Sequence, residues 1–137
     1  MMFYEDVKEG DEFPVLEKQP ITRVQLVRFA GASGDFHPLH LVEEFAEKAG
    51  MKIIAHGMLV MGMLSQGVTS WVSRRNIKKI QVRFSKITYP GESIQIVGKV
   101  LEKKPDNIVV AEVLAKNSDG EVKVAGIFEA TLPSRAR

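Results

Sequence analysis

The feature that most restricts what this chain can fold into is the stretch from Ile53 to Val72, which is apolar on nearly every side. A helix of that composition is expected to be buried all round. A membrane span is the competing reading, but His56, Ser65, Gln66, Thr69 and Ser70 interrupt the run. What remains falls short of the roughly 18 to 20 continuous apolar residues that a span requires. The stretch therefore predicts a central core helix. Gly62 and Gly67 within it let a sheet approach the helix backbone, at a propensity cost of about 1 kcal/mol each.

After Arg74-Arg75 the pattern changes to period-two alternation, with Ile80, Val82 and Phe84 on one face and Gln81, Arg83 and Ser85 on the other. Alternation of this kind predicts a strand over about 77–87. Tyr89-Pro90-Gly91-Glu92 reads as a turn. Strands follow over about 93–102, 108–116 and 121–132, separated at Pro105-Asp106-Asn107 and at Asn117-Ser118-Asp119-Gly120. In the last strand Val122, Val124, Phe128, Ala130 and Leu132 are expected to point inward. A further strand over about 12–19 precedes the helices. One long helix followed by sequential strands implies an α+β fold, a curved antiparallel sheet wrapped around that helix, with residues 1–137 forming one domain.

Between the first strand and the apolar stretch lies the chemistry. Thr22, with Gln25 three residues later, fits a capping box and starts a helix. In it Val24, Val27 and Gly31, beside Leu26, Phe29 and Ala30, are expected to face the core, with Arg23 and Arg28 toward water. Gly34 and Pro38 stop that helix, because glycine is costly inside one and proline lacks the N–H that the next turn needs. Asp35, His37 and His40 therefore sit on a shaped loop, and a carboxylate beside an imidazole is the usual equipment for moving protons near neutral pH. A short helix over about 41–48 follows, closed by Gly50, with Glu43, Glu44 and Glu47 outermost.

Charge and composition exclude several alternatives. Nineteen Lys and Arg against 17 Asp and Glu leave a formal charge of +2, so nothing calls for nucleic acid. The chain has no cysteine, which excludes disulfides, thiolate catalysis and cysteine-ligated metal. Met1 to Phe13 carries five acidic residues and lacks the basic and apolar segments of a signal peptide, which points to a cytoplasmic protein. Asp35, His37, His40 and His56 together suggest zinc ligands. Pro38, however, breaks any helix that would align His37 with His40, and the HExxH pattern is absent, so no metal is expected.

Phe29, Ser33-Gly34-Asp35, Pro38-Leu39-His40 and, five residues on, Ala46 resemble the hydratase signature of the MaoC-like, (R)-specific enoyl-CoA hydratases and the related (3R)-hydroxyacyl dehydratases. His37 stands where that family usually has Asn. The resemblance covers about residues 10–132 and implies the hotdog fold, with protomers joined as a homodimer, a higher oligomer or a pair with a related subunit. It also implies interconversion of a trans-2-enoyl and a (3R)-3-hydroxyacyl thioester, with coenzyme A or phosphopantetheine entering as part of the substrate and no other cofactor.

By the same resemblance Asp35 is the general base and His40 its partner in holding water. His56-Gly57-Met58 matches the second family motif, with the Gly57 N–H as oxyanion donor, and the Ser65 hydroxyl bonds the catalytic aspartate. Local sequence alone also allows Gly57 to serve only a tight turn, and Ser65 to bond back to its own helix. His37, His56 and Met58 are expected near the substrate. Arg74, Arg75, Lys78 and Arg83, with Lys52 and Lys79, are candidates to meet the phosphates of coenzyme A or an acidic acyl carrier protein. Two other functions fit a chain of this type: a hotdog thioesterase, and a subunit of a heteromeric dehydratase.

Overall fold

The computed structural model describes residues 2–136. Its elements in chain order are β1 (Leu16–Glu17), α1 (Arg23–Ser33), α2 (Glu43–Lys48), α3 (Gly57–Trp71), β2 (Ile77–Phe84), β3 (Gln95–Lys104), β4 (Ile108–Lys116) and β5 (Val122–Thr131). The strands form one antiparallel sheet in the order β1-β3-β4-β5-β2. β3, β4 and β5 are joined by tight hairpins. At the first, Asp106 and Asn107 take left-handed φ of 65° and 60°, a conformation that Asn and Asp tolerate. At the second, Asn117 Oδ1 accepts from the N–H groups of Asp119 and Glu121.

The sheet curls over α3, whose Leu64 and Val68 are buried with Ile96, Val100, Ala111 and Phe128 of the strands. Gly67 makes that approach possible. A Cβ there would stand 2.4 Å from Ile96 Cγ2. Gly62 does not share the role, since nothing lies within 4 Å of its Cβ position and it faces away from the sheet. α3 is accordingly not buried all round: Met58, Gly62, Gln66 and Thr69 form an exposed stripe. The reason is geometric, because a single sheet covers one side of a helix.

Three further expectations are corrected by the packing. The strand over 12–19 shrinks to Leu16–Glu17 and a bridge from Glu12 to Lys99, since Pro14 has no N–H to give the ladder. In α1 only Leu26 and Ala30 are buried, while Val24 and Val27 are 62% and 60% exposed and Gly31 lies open beside them. In β5 Val122 is half-buried, whereas Lys123 is buried. Both helix ends of α1 follow the sequence signals, with Thr22 Oγ1 accepting from the Gln25 N–H at 3.1 Å and Gly34 at φ 78° closing the last turn. Among the described residues no helix is long and apolar enough to cross a membrane.

Candidate active site

The loop after α1 is held by its own side chains. Ser33 Oγ accepts from the Asp35 N–H, Asp35 Oδ1 from the His37 N–H, and His37 Nδ1 from the Leu39 N–H, at 3.2, 3.3 and 3.1 Å. Each side chain reaches the amide two residues on, the local bonding that these residue types favour outside helices. Pro38 then opens a single 3-10 turn, Pro38–His40, which aims the His40 ring inward. His37 is spent on capping that turn and does not line the cavity described below.

His40 Nδ1 lies 2.8 Å from the Ile54 carbonyl oxygen. Since a carbonyl only accepts, Nδ1 carries the proton and Nε2 is turned toward Asp35. The two groups face each other with Nε2 3.8 Å from Asp35 Oδ2, the His40 side chain 12% exposed and the Asp35 side chain 51% exposed. That separation is too long for a direct hydrogen bond, and it leaves the carboxylate and the imidazole aimed at one small volume.

His56 supports this pair from behind. Its ring stacks on His40 with centroids 3.8 Å apart and meets the edge of Phe29 at 4.8 Å. Its Nε2–H donates to the Asp35 backbone oxygen at 3.1 Å, while Nδ1 is buried without a partner. Burial is the main cause that lowers the His56 pKa below its ordinary value, helped by the neighbouring His40. The hydrogen bond to the Asp35 carbonyl and the Asp35 charge act in the opposite direction. With 1% of its surface exposed, His56 is out of a substrate's reach, contrary to the sequence expectation. Its place is structural, tying the start of α3 to the Asp35 loop.

A cavity of about 310 Å³ opens beside His40 and Gly57 and is walled chiefly by Ile54, Val60, Phe84, Ile87 and Val124. Gly57 is the first residue of α3, and no side chain caps that end. Among the described hydrogen bonds its N–H has no acceptor, so an unpaired donor at the positive end of the helix dipole borders an apolar cavity. A Cβ on Gly57 would sit 3.2 Å from the Phe84 ring.

Several predicted residues lie elsewhere. Met58 is 61% exposed on the open side of α3. Ser65, two helical turns beyond Gly57, has no hydrogen bond to Asp35, whose carboxylate among the described residues is engaged with the His37 N–H and faces His40. Arg74 and Arg75 follow the C-terminus of α3, and the 15 residues of that helix place them about 20 Å from Gly57. Lys78 sits near that same far end, where β2 begins. Arg83 precedes the cavity-lining Phe84 in β2 without lining the cavity itself, and Lys86 on the rim is a cation that the sequence reading missed. The signal for it was indirect, since β2 had to be seen running back along α3.

Asp35, His40 and His56 each bring a ligand-type atom within 4.8 Å of the others. A metal held there would need each ligand atom about 2 Å away. The two imidazoles are stacked, 24° from parallel, so their lone pairs run side by side, and His56 Nε2 is committed to a carbonyl.

The sequence matches the MaoC like domain family over residues 7–121, and the chain belongs to that family. The fold is the hotdog fold of its structural neighbours. R-hydratase PhaJ1 of Pseudomonas aeruginosa, in unliganded form, superposes with a TM-score of 0.84 over 96% of this chain and 86% of its own, at 27% identity. Among curated relatives, the "Probable enoyl-CoA hydratase 2" of Dictyostelium discoideum is 34% identical over 84 residues, 58% of this chain and 29% of its own length. The "(R)-specific enoyl-CoA hydratase" of Rhodospirillum rubrum is 38% identical over 64 residues, 46% of this chain and 43% of its own. The matched segments thus span less than half the length of either relative.

Proposed function

We propose that this protein is a hydro-lyase that interconverts a trans-2-enoyl thioester and a (3R)-3-hydroxyacyl thioester. The observation that carries this reading is that His40 and the unpaired Gly57 N–H border one apolar cavity while Asp35 faces the His40 ring. A water oxygen hydrogen-bonded to both Asp35 Oδ2 and His40 Nε2, at about 2.8 Å from each, fits across their 3.8 Å separation.

Asp35 takes a proton from that water as its oxygen bonds to C3. The C2–C3 π electrons move onto the thioester oxygen, where the Gly57 N–H stabilises the developing enolate. Collapse of the enolate takes up a proton at C2 from the Asp35–His40 pair, so that one water has been added across the double bond and both groups return to their starting states. Dehydration follows the same path in reverse. The acyl chain occupies the cavity, and coenzyme A or phosphopantetheine lies outside, near Arg83 and Lys86. No metal or redox cofactor takes part. The 3R product is proposed on the strength of the relatives named above.

The reading includes a second subunit. β2 is an edge strand with a free ladder side, and pairing it with another copy, or with a related chain, would cover that edge. The exposed stripe of α3 with Ser65 is left open in the single chain, so any role of Ser65 toward an aspartate belongs to that assembly. A cytoplasmic site of action is part of the same reading.

Crotonyl-CoA tests the reaction. Loss of the absorbance of the conjugated thioester, with (3R)-3-hydroxybutyryl-CoA as the product on chiral analysis, is the expected result. Release of free thiol with the double bond intact would indicate a thioesterase instead, and no turnover of any enoyl thioester would remove the assignment.

A further inference from the structure

Lys123 is 1% exposed and is among the largest fully buried side chains in the molecule. A buried ammonium is costly unless paired, and here Nζ lies 3.0 Å from Glu92 Oε1, 2.5 Å from Glu121 Oε1 and donates to the Ile87 carbonyl at 2.9 Å. Burial pulls the lysine's pKa down, yet the two carboxylates outweigh it and hold the group above its ordinary value. The ammonium and the two carboxylates form one ion cluster. Such clusters are poor sources of stability, because well-packed apolar residues in their place are often as stable or more so. A different reason for this lysine is needed.

Its position in the strand supplies one. Against β4, Val124 faces Ala115 and Val122 faces Lys116, which leaves Lys123 as the extra residue of a β-bulge. A bulge re-aims a side chain and ends regular pairing. Opposite this bulge β2 ends at Phe84, and residues 85–88 run without regular structure along the cavity. Three polar backbone groups of that segment find their partners on Lys123, and the Thr88 carbonyl accepts from the Ala55 N–H at 2.8 Å. The Ser85 and Lys86 N–H groups donate to the Lys123 carbonyl at 2.9 and 3.3 Å, the Ile87 carbonyl accepts from Lys123 Nζ, and Glu92 Oε2 accepts from the Tyr89 N–H at 2.7 Å. Lys86, on the cavity rim, pairs with Glu121 at 3.3 Å.

We propose that Lys123 is a positioning residue, whose ammonium, clamped between Glu92 and Glu121, fixes the 85–88 backbone as one wall of the acyl cavity. The functional part of this inference rests on reading the cavity as the acyl site. The mechanical part does not, and the two are measured separately.

In Lys123→Met, and in Lys123→Met/Glu92→Gln, which removes a stranded carboxylate, amide hydrogen exchange at Ser85 and Lys86 should quicken about tenfold or more, with Val113 in the middle of β4 unchanged. With enoyl-CoA substrates KM should rise about fivefold and kcat stay within about twofold, since a loosened wall weakens binding and leaves the Asp35–His40 pair intact. A purely structural lysine would lower thermal stability without this split. Glu121→Gln, at the half-exposed rim of the cluster, should show both effects in smaller size, and it carries the test if the Lys123 variants do not fold. Unchanged exchange at residues 85 and 86 in folded variants overturns the proposal, and quickened exchange with unchanged KM overturns its link to the acyl site. If the wild-type protein turns over no enoyl thioester, the hydratase reading falls and exchange alone decides the role of Lys123.

Discussion

Two irregular segments border the cavity, and they are ordered in opposite ways. Residues 33–40 are held by a relay in which Ser33, Asp35 and His37 each bond the amide two residues ahead. Residues 85–88 have no such relay and depend on partners far along the chain, with Lys123 reaching Ile87 across 36 positions. The first segment carries the ionisable groups of the proposed chemistry and the second shapes the space beside them. The reactive loop adds to its own relay the ties of His56 to the Asp35 carbonyl and of Ile54 to Leu39 and His40, whereas the wall ordered by a distant ion cluster can be altered without touching the reactive groups.

The largest effect should come from the loop. Asp35→Asn and His40→Ala are each expected to lose at least about a hundredfold in kcat, with thermal unfolding close to wild type. Near-native turnover in either folded variant would separate the loop from the chemistry and remove the contrast.

Gly57 borders the cavity beside His40, its missing side chain facing Phe84 at the end of β2. Gly57→Val keeps the N–H but crowds the ring, and kcat/KM for enoyl thioesters should fall about tenfold to a hundredfold. Unchanged hydration by a variant with native-like unfolding would place the oxyanion donor elsewhere.

The relay itself is tested at His37. Asn retains an acceptor for the Leu39 N–H, so His37→Asn should keep activity within about threefold of wild type, whereas His37→Ala should lose about 1 kcal/mol of stability in denaturant titrations. Activity loss in His37→Asn as complete as in His40→Ala would mean that the wrong histidine has been assigned to the chemistry.

These contrasts also explain how far the sequence could be read. Thr22, Gly34 and Pro38 act on their own neighbours, so α1, its end and the loop beyond were legible, as were the turns at 89–92 and 117–120. The resemblance brought Asp35, His40 and Gly57 forward; in the fold His40 and Gly57 border one cavity and Asp35 faces His40. What periodicity could not show was which side of an element the sheet would cover. Val24 and Val27 have core-like side chains on an uncovered face, and α3 is apolar on a side that the sheet never reaches. Lys123 was invisible for a related reason: a bulge shifts the alternation by one residue, and its partners Glu92 and Glu121, which precede β3 and β5, acquire meaning only once both strands are paired with β4. The basic residues after α3 were misplaced because helix length, rather than sequence proximity, decides their distance from Gly57.

The smallest expected effect concerns stability and pH. Because His56 has its pKa lowered in the folded protein, the unfolded chain binds a proton more readily. Stability is then full above the ordinary imidazole value of about 6.5 and declines as pH falls from that value toward the lower folded one. Urea midpoints between pH 8 and pH 5 should show this decline in wild type and a shallower one in His56→Gln. Equal slopes in the two proteins would mean that His56 does not enter the folded state neutral.

The central claim, that the Asp35–His40 pair adds water across a conjugated thioester, is tested most directly by running crotonyl-CoA hydration in D₂O and analysing the product by mass spectrometry. The proposed chemistry predicts 3-hydroxybutyryl-CoA carrying deuterium at C2, formed by the wild-type protein and lost to at least about a hundredfold in Asp35→Asn. Unlabelled crotonate with free coenzyme A, or labelled product formed equally by Asp35→Asn, would contradict it.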